Sequence, residues 1–137
     1  MDALARHVKA DGIQPALVLC SSARRARETL EGIGLDGQIS IESELYSANV
    51  DRLLERVRRV PEQTRSTMVV GHNPALQMLV LRLAGSFSND EGKPDLEAAR
   101  HKFPTGALAT LSFDCPWRQL AAGTAELVAL VRPKDLH

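Results

Sequence analysis

The sequence predicts an α/β layered fold built on a largely parallel sheet. Three observations carry that reading: apolar runs of strand length, apolar residues at helical spacing directly after them, and capping or turn residues at the junctions. Ala16-Leu17-Val18-Leu19-Cys20 is a continuous apolar run after a turn containing Asp11, Gly12 and Pro15, which suits a strand buried on both faces. Ser21 and Ser22 are good N-cap residues, Ala23 to Leu30 are mostly helix formers, and Gly32 and Gly34 supply a stop. Gln38 to Glu42 gives a second short strand. Val50, Leu53, Leu54, Val57 and Val60 then keep to one face of a helix, with Asn49 as its cap and Pro61 just beyond. Thr67-Met68-Val69-Val70 is a third strand. Gly71-His72-Asn73-Pro74 turns it into another helix, which Asn73 is placed to cap and Pro74 to begin. Leu76, Leu79, Val80 and Leu83 form the buried stripe of that helix, and Gly85 ends it. Pro94 to His101 reads as a short helix, and Ala107 to Phe113 and Glu126 to Val131 as two later strands on either side of a Cys-Pro-Trp turn.

A chain of 137 residues, 44% hydrophobic and 25% charged, fits one domain that buries roughly two-thirds of its unfolded surface. Lys and Arg total 17 and so do Asp and Glu, so no overall positive field exists to condense on nucleic acid or anionic lipid. Neither is an expected partner, and any bound anion must be met by local charges. Cys20 and Cys115 lie far apart and outside any C-x-x-C pair, which argues against a disulfide scaffold or zinc ribbon and for a reducing compartment. The first residues lack the apolar core of a signal peptide, and no stretch reaches the roughly 18 apolar residues of a membrane span, so the expected location is cytoplasmic. Ser86 to Lys93, rich in Gly, Ser, Asn and acidic residues, is expected to be a surface loop.

In an open α/β sheet, ligands bind beyond the carboxyl ends of the strands, where helix N-termini present free N–H groups. Two such ends carry polar residues. After the first strand come Ser21, Ser22, Arg24 and Arg25, and a guanidinium beside capped backbone amides can hold two phosphate oxygens at once. A plain serine cap with solvated arginines explains the same spacing equally well. At the third strand, His72 is set to project next to a helix N-terminus, where an imidazole can bind a phosphoryl oxygen or move a proton near pH 7. A histidine that only bonds its own turn is the competing explanation.

The combination is more specific. Cys20-Ser21-Ser22-Ala23-Arg24-Arg25-Ala26-Arg27-Glu28-Thr29 resembles the S-P-x-x-R-A-x-x-T segment of the histidine phosphatase superfamily, most closely its SixA-type phosphohistidine phosphatases. Val69-Val70-Gly71-His72-Asn73-Pro74 is similar to the second-histidine motif of that family, Glu44-Leu45-Tyr46-Ser47-Ala48 to its E-L-Y-x-A segment, and Phe103-Pro104-Thr105-Gly106-Ala107 to its late P-T-G-A turn. Ser22 stands where the family usually has proline. The resemblance implies a three-layer phosphoglycerate mutase-like fold, with helices flanking a mostly parallel central sheet. It implies that Arg25 clamps phosphate, with Ser21 and His72 also binding it, and that His72 is the second active-site histidine. Glu44 lies near the place of a proton-donating carboxylate, although a loop acid fits it as well. Thr105 and Gly106 would shape the pocket wall or simply start a strand. His101 reads as a solvated helix-end residue, and Cys20 as core. No metal or cofactor is implied.

One departure matters. The family attacks phosphorus with a histidine in an R-H-G or R-H-A motif at the end of a first strand, and the sequence lacks that motif in its proper place. Arg6-His7 is followed by Val8 and preceded by no strand, and Leu4, His7 and Val8 fit one face of a helix. His7 is therefore not expected to be the nucleophile. The expectation is a single histidine phosphatase-like domain over residues 1–137 that lacks its N-terminal strand, a fragment rather than a relative that has lost its chemistry. The complete protein would hydrolyse a phosphohistidine of a protein or a small phosphate ester through a phosphohistidine intermediate, and the chain alone would be inactive. The rival is a pseudophosphatase that keeps Arg25 and His72 to bind a phosphorylated ligand without turnover. A phosphoglycerate mutase-like transferase is the weaker third reading.

Overall fold

The computed structural model describes residues 2–85, 94–104 and 106–132. The elements run α1 (Asp2–Ala10), β1 (Leu17–Ser21), α2 (Arg24–Ile33), β2 (Gln38–Glu42), a 3-10 turn at Ser43–Leu45, and α3 (Val50–Arg58). They continue with β3 (Thr67–Val70), α4 (Ala75–Ala84), α5 (Pro94–His101), β4 (Leu108–Phe113), a 3-10 turn at Trp117–Gln119, and β5 (Ala125–Val131). The expected surface loop at Ser86 to Lys93 lies outside the described residues, as does Thr105.

The apolar run at β1 does what its composition dictates: all five of its residues are buried, and parallel strands flank it in the order β2-β1-β3. Alternate side chains of β1 feed different layers. Leu17 and Leu19 pack with Leu53, Leu54 and Val57 of α3 and Leu79 and Leu83 of α4. Val18 and Cys20 pack on the other face with Ala26 and Leu30 of α2. The α1 helix lies outside α2, where Leu4 and Val8 meet Ile33. Helices thus cover both faces of a parallel sheet, the three-layer α/β arrangement expected.

The last two strands pair only with each other and antiparallel, as a connection too short for a parallel crossover requires. The outer edge of β3 and the outer edge of β4 are both unpaired among the described residues. A cavity of about 340 Å³ separates them, lined by Thr67 to Val69 of β3, Leu108 to Leu111 of β4, and Leu76 and Trp117. Thr67 carries the one buried side-chain oxygen without a hydrogen-bond partner among the described residues.

Two expected caps are corrected. The cap of α2 is Ala23, in extended conformation and without a side-chain bond, because Ser21 is still the last residue of the strand. Asn73 does not cap α4. Pro74 precedes the helix rather than opening it, and the Asn73 amide instead donates to the carbonyl of Phe103, while the Asn73–Pro74 peptide is cis. The Asn49 cap is as expected, its Oδ1 accepting the Arg52 N–H at 2.9 Å.

Candidate active site

The parallel register sets the site. Cys20 lies opposite Val70 and Ser21 opposite Glu42, so β1, β2 and β3 finish side by side at one end of the sheet. Ser21 is fully buried there, and its hydroxyl lies 3.0 Å from His72 Nε2, the first polar side chain past the end of β3. The same hydroxyl accepts the N–H of Ala23 at 3.2 Å. Ser21 therefore does not cap a helix with its side chain alone; it joins the two strand ends whose turns lead into α2 and α4.

Arg25 stands on the first turn of α2, exposed, and forms no hydrogen bond or ion pair with the described residues. Its neighbour Arg27 is committed elsewhere, donating from Nε to the Ser22 carbonyl at 3.0 Å and so bracing the turn from β1 to α2. Arg24 pairs with Glu28 across one helical turn. Arg25 is thus the arginine of that motif with its donors unspent. A planar fork of N–H donors beside the start of a helix is suited to the oxygens of a phosphoryl group.

Glu44 is placed differently. Both of its oxygens accept from Arg59 Nη2, at 3.0 and 2.8 Å, and Arg56 Nε lies 3.5 Å away. Glu42, at the end of β2, is held more tightly by Arg56, with Nη2 to Oε2 at 2.7 Å and the Ser40 hydroxyl donating at 2.8 Å. The Arg56 hydrogen bond to Glu42 keeps that carboxyl below the ordinary carboxylate value, and the same bond raises Arg56. Spacing along the chain does not reveal this acid–arginine cluster. Its signal was the pairing of strand-end acids with arginines on one helix, which ordinary surface charge patterns hide.

The other candidates separate cleanly. His7 lies on α1 with Nε2 3.4 Å from Asp11, and α1 leads into the amino end of β1. A five-residue strand spans about 15 Å, so His7 belongs to the opposite pole from Ser21. His101 is exposed at the last residue of α5. Gly106 takes a positive φ of 85° in the turn before β4, where a side chain would be strained. The Asn73 to Phe103 bond ties that late turn to the His72 turn. Cys20 is buried with its thiol donating to the Ser21 carbonyl at 3.3 Å, and burial pushes the thiol up, as befits a core cysteine. Among the described residues, no helix is long and apolar enough to cross a membrane.

No protein-family model matches the chain. An uncharacterized protein of Mycobacterium leprae is 32% identical over 117 residues, 85% of this chain and 71% of that protein. A solved structure from Nakamurella multipartitia, assigned as phosphohistidine phosphatase SixA, is 33% identical with a TM-score of 0.80, over 96% of this chain and 80% of that one. A second, from Agrobacterium tumefaciens and assigned likewise, shares the fold at 24% identity and a TM-score of 0.75, over 96% of this chain and 77% of that one. The three-layer α/β fold is shared with these neighbours, and the chain belongs to the histidine phosphatase superfamily. Within it, the likeness is to the SixA-type phosphohistidine phosphatases.

Proposed function

We propose that the chain supplies the phosphate-binding part of a phosphatase that hydrolyses a protein phosphohistidine or a small phosphate ester in the cytoplasm. The observation that carries this reading is the Ser21–His72 contact at adjacent strand ends, with the unspent guanidinium of Arg25 on the helix that follows. Arg25 neutralises charge on the phosphoryl oxygens as it builds, and His72 donates a hydrogen bond to them. The nucleophile is a histidine of an R-H-G or R-H-A strand outside these residues. The open edges of β3 and β4 and the apolar cavity between them support a seat for such a strand.

In the reaction, an imidazole nitrogen of that histidine attacks phosphorus and forms a P–N bond as the bond to the leaving group breaks. The leaving oxygen or nitrogen takes a proton, and water then cleaves the P–N bond to release phosphate. Glu44 is the proton donor in this scheme, which requires its carboxyl to take up a proton from solvent and leave Arg59 before it gives that proton to the leaving group. A leaving imidazole needs less help from it than an alkoxide does.

The 137-residue chain is expected to be inactive toward p-nitrophenyl phosphate and a phosphohistidine peptide, since loss of a covalent nucleophile costs on the order of 10⁶ in rate. Turnover that disappears in His7→Ala overturns this. The unspent Arg25 also favours a second reading, a module that holds a phosphorylated ligand without hydrolysing it. Adding a synthetic strand peptide with an R-H-G end separates the two, because only the phosphatase reading gains turnover.

A further inference from the structure

The buried hydroxyl of Ser21 has one proton to give. One of its lone pairs is taken by the Ala23 N–H, and the only other polar atom within hydrogen-bond reach among the described residues is His72 Nε2. If Nε2 carried a proton, the hydroxyl would accept twice and its own hydrogen, buried at zero exposure, would have no acceptor. Buried polar groups are rarely left in that state. We infer that Ser21 donates to His72 Nε2, fixing the neutral ring with its proton on Nδ1, and that Nδ1–H is the atom His72 presents to a phosphoryl oxygen.

Ser21 is thereby a positioning residue and not a phosphate ligand. It is fully buried, whereas His72 is half-buried and its Nδ1 has no partner among the described residues. The second half of the inference, that Nδ1–H meets phosphate, rests on the proposed function; the first half, the tautomer, stands on the hydrogen-bond network alone. The arrangement follows the general logic by which the partner of one ring nitrogen decides what the other can do.

Long-range ¹H–¹⁵N correlation spectra of the full 137-residue chain, recorded where His72 is neutral, read the tautomer directly. The expected result is a protonated Nδ1 and an unprotonated Nε2. Ser21→Ala should redistribute the proton toward Nε2 while the backbone spectrum stays folded, and Ser21→Thr should restore it. A proton on Nε2 in the unaltered protein, or an unchanged tautomer in Ser21→Ala, overturns the assignment. Titration with inorganic phosphate then tests the second half: the Nδ1–H resonance should move, and Ser21→Ala should weaken binding about tenfold, the low end of the losses seen when a metal-binding histidine is deprived of the partner of its other nitrogen. No phosphate binding at all defeats the proposed function and leaves the tautomer assignment standing. Binding that leaves Nδ1–H unmoved defeats the contact.

Discussion

Two polar clusters occupy the same end of the parallel sheet and differ in one respect. Around Glu42 and Glu44, every charge has a partner: Arg56 grips Glu42 with two nitrogens, and Arg59 holds Glu44. Around Ser21 and His72, the partners run out, leaving Nδ1 of the ring and the whole guanidinium of Arg25 free among the described residues. A saturated cluster stabilises the fold it sits in. An unsaturated one has donors that only an outside ligand completes, and donors of this kind select an anion.

The sharpest way to break that contrast is to remove the free guanidinium. Arg25→Ala should lower affinity for inorganic phosphate about 100-fold, the loss of a bidentate charge-assisted contact, with no change in thermal stability. Equal phosphate binding by calorimetry would place the ligand elsewhere. The saturated cluster should respond in the opposite sense. Glu42→Gln removes the nearer of the two carboxylates beside Arg56, leaving only the more exposed Glu44 at 3.5 Å, in a site where Glu42 and Arg56 are each only 14% exposed, and should cost about 1–3 kcal/mol in denaturant unfolding. Phosphate affinity should not move.

The same pair predicts a pH dependence of known sign. The Glu42 carboxyl is held below its ordinary value of 4.5 chiefly by the Arg56 hydrogen bond, so its contribution is complete above that value. It is lost as pH falls through the lower, folded-state value. Melting temperatures measured downward from neutral pH should fall less steeply in Glu42→Gln than in the unaltered protein. The smallest effect is expected for Glu44→Gln, since Glu44 and Arg59 are about half exposed and such pairs contribute at most about 1 kcal/mol. In a protein supplied with its nucleophile, the same variant should slow ester hydrolysis more than phosphohistidine hydrolysis. Equal slowing of both would assign Glu44 to structure alone.

What could be read from the sequence follows the range of the interactions. The β1 strand, the α3 stripe and the Asn49 cap are decided by neighbours within a turn or two, and their spacing is visible in a single chain. The motifs at Ser21, Arg25 and His72 were also legible, because each marks a strand end. The two caps that differ from local propensity have long-range causes. Asn73 reaches a carbonyl 30 residues away, and Ser21 a histidine 51 residues away. Local propensity offers each of them a helix cap, and tertiary contacts take them elsewhere. The Arg56 and Arg59 pairs were hidden in the same manner. So was the burial of Trp117, whose indole N–H donates to the Thr64 carbonyl at 2.8 Å and whose ring meets Phe113 edge-on at 4.9 Å.

The gap between β3 and β4 also governs how the chain behaves at high concentration. Among the described residues the facing edges of β3 and β4 carry amides and carbonyls without ladder partners, with apolar side chains between them, and edges of this kind can template pairing with an extended segment. At low concentration that segment has to be a dedicated one, whereas in a crowded solution it is the frayed strand of another copy. A short peptide that pairs with both edges is therefore expected to reduce self-association of the chain, whatever it does for catalysis.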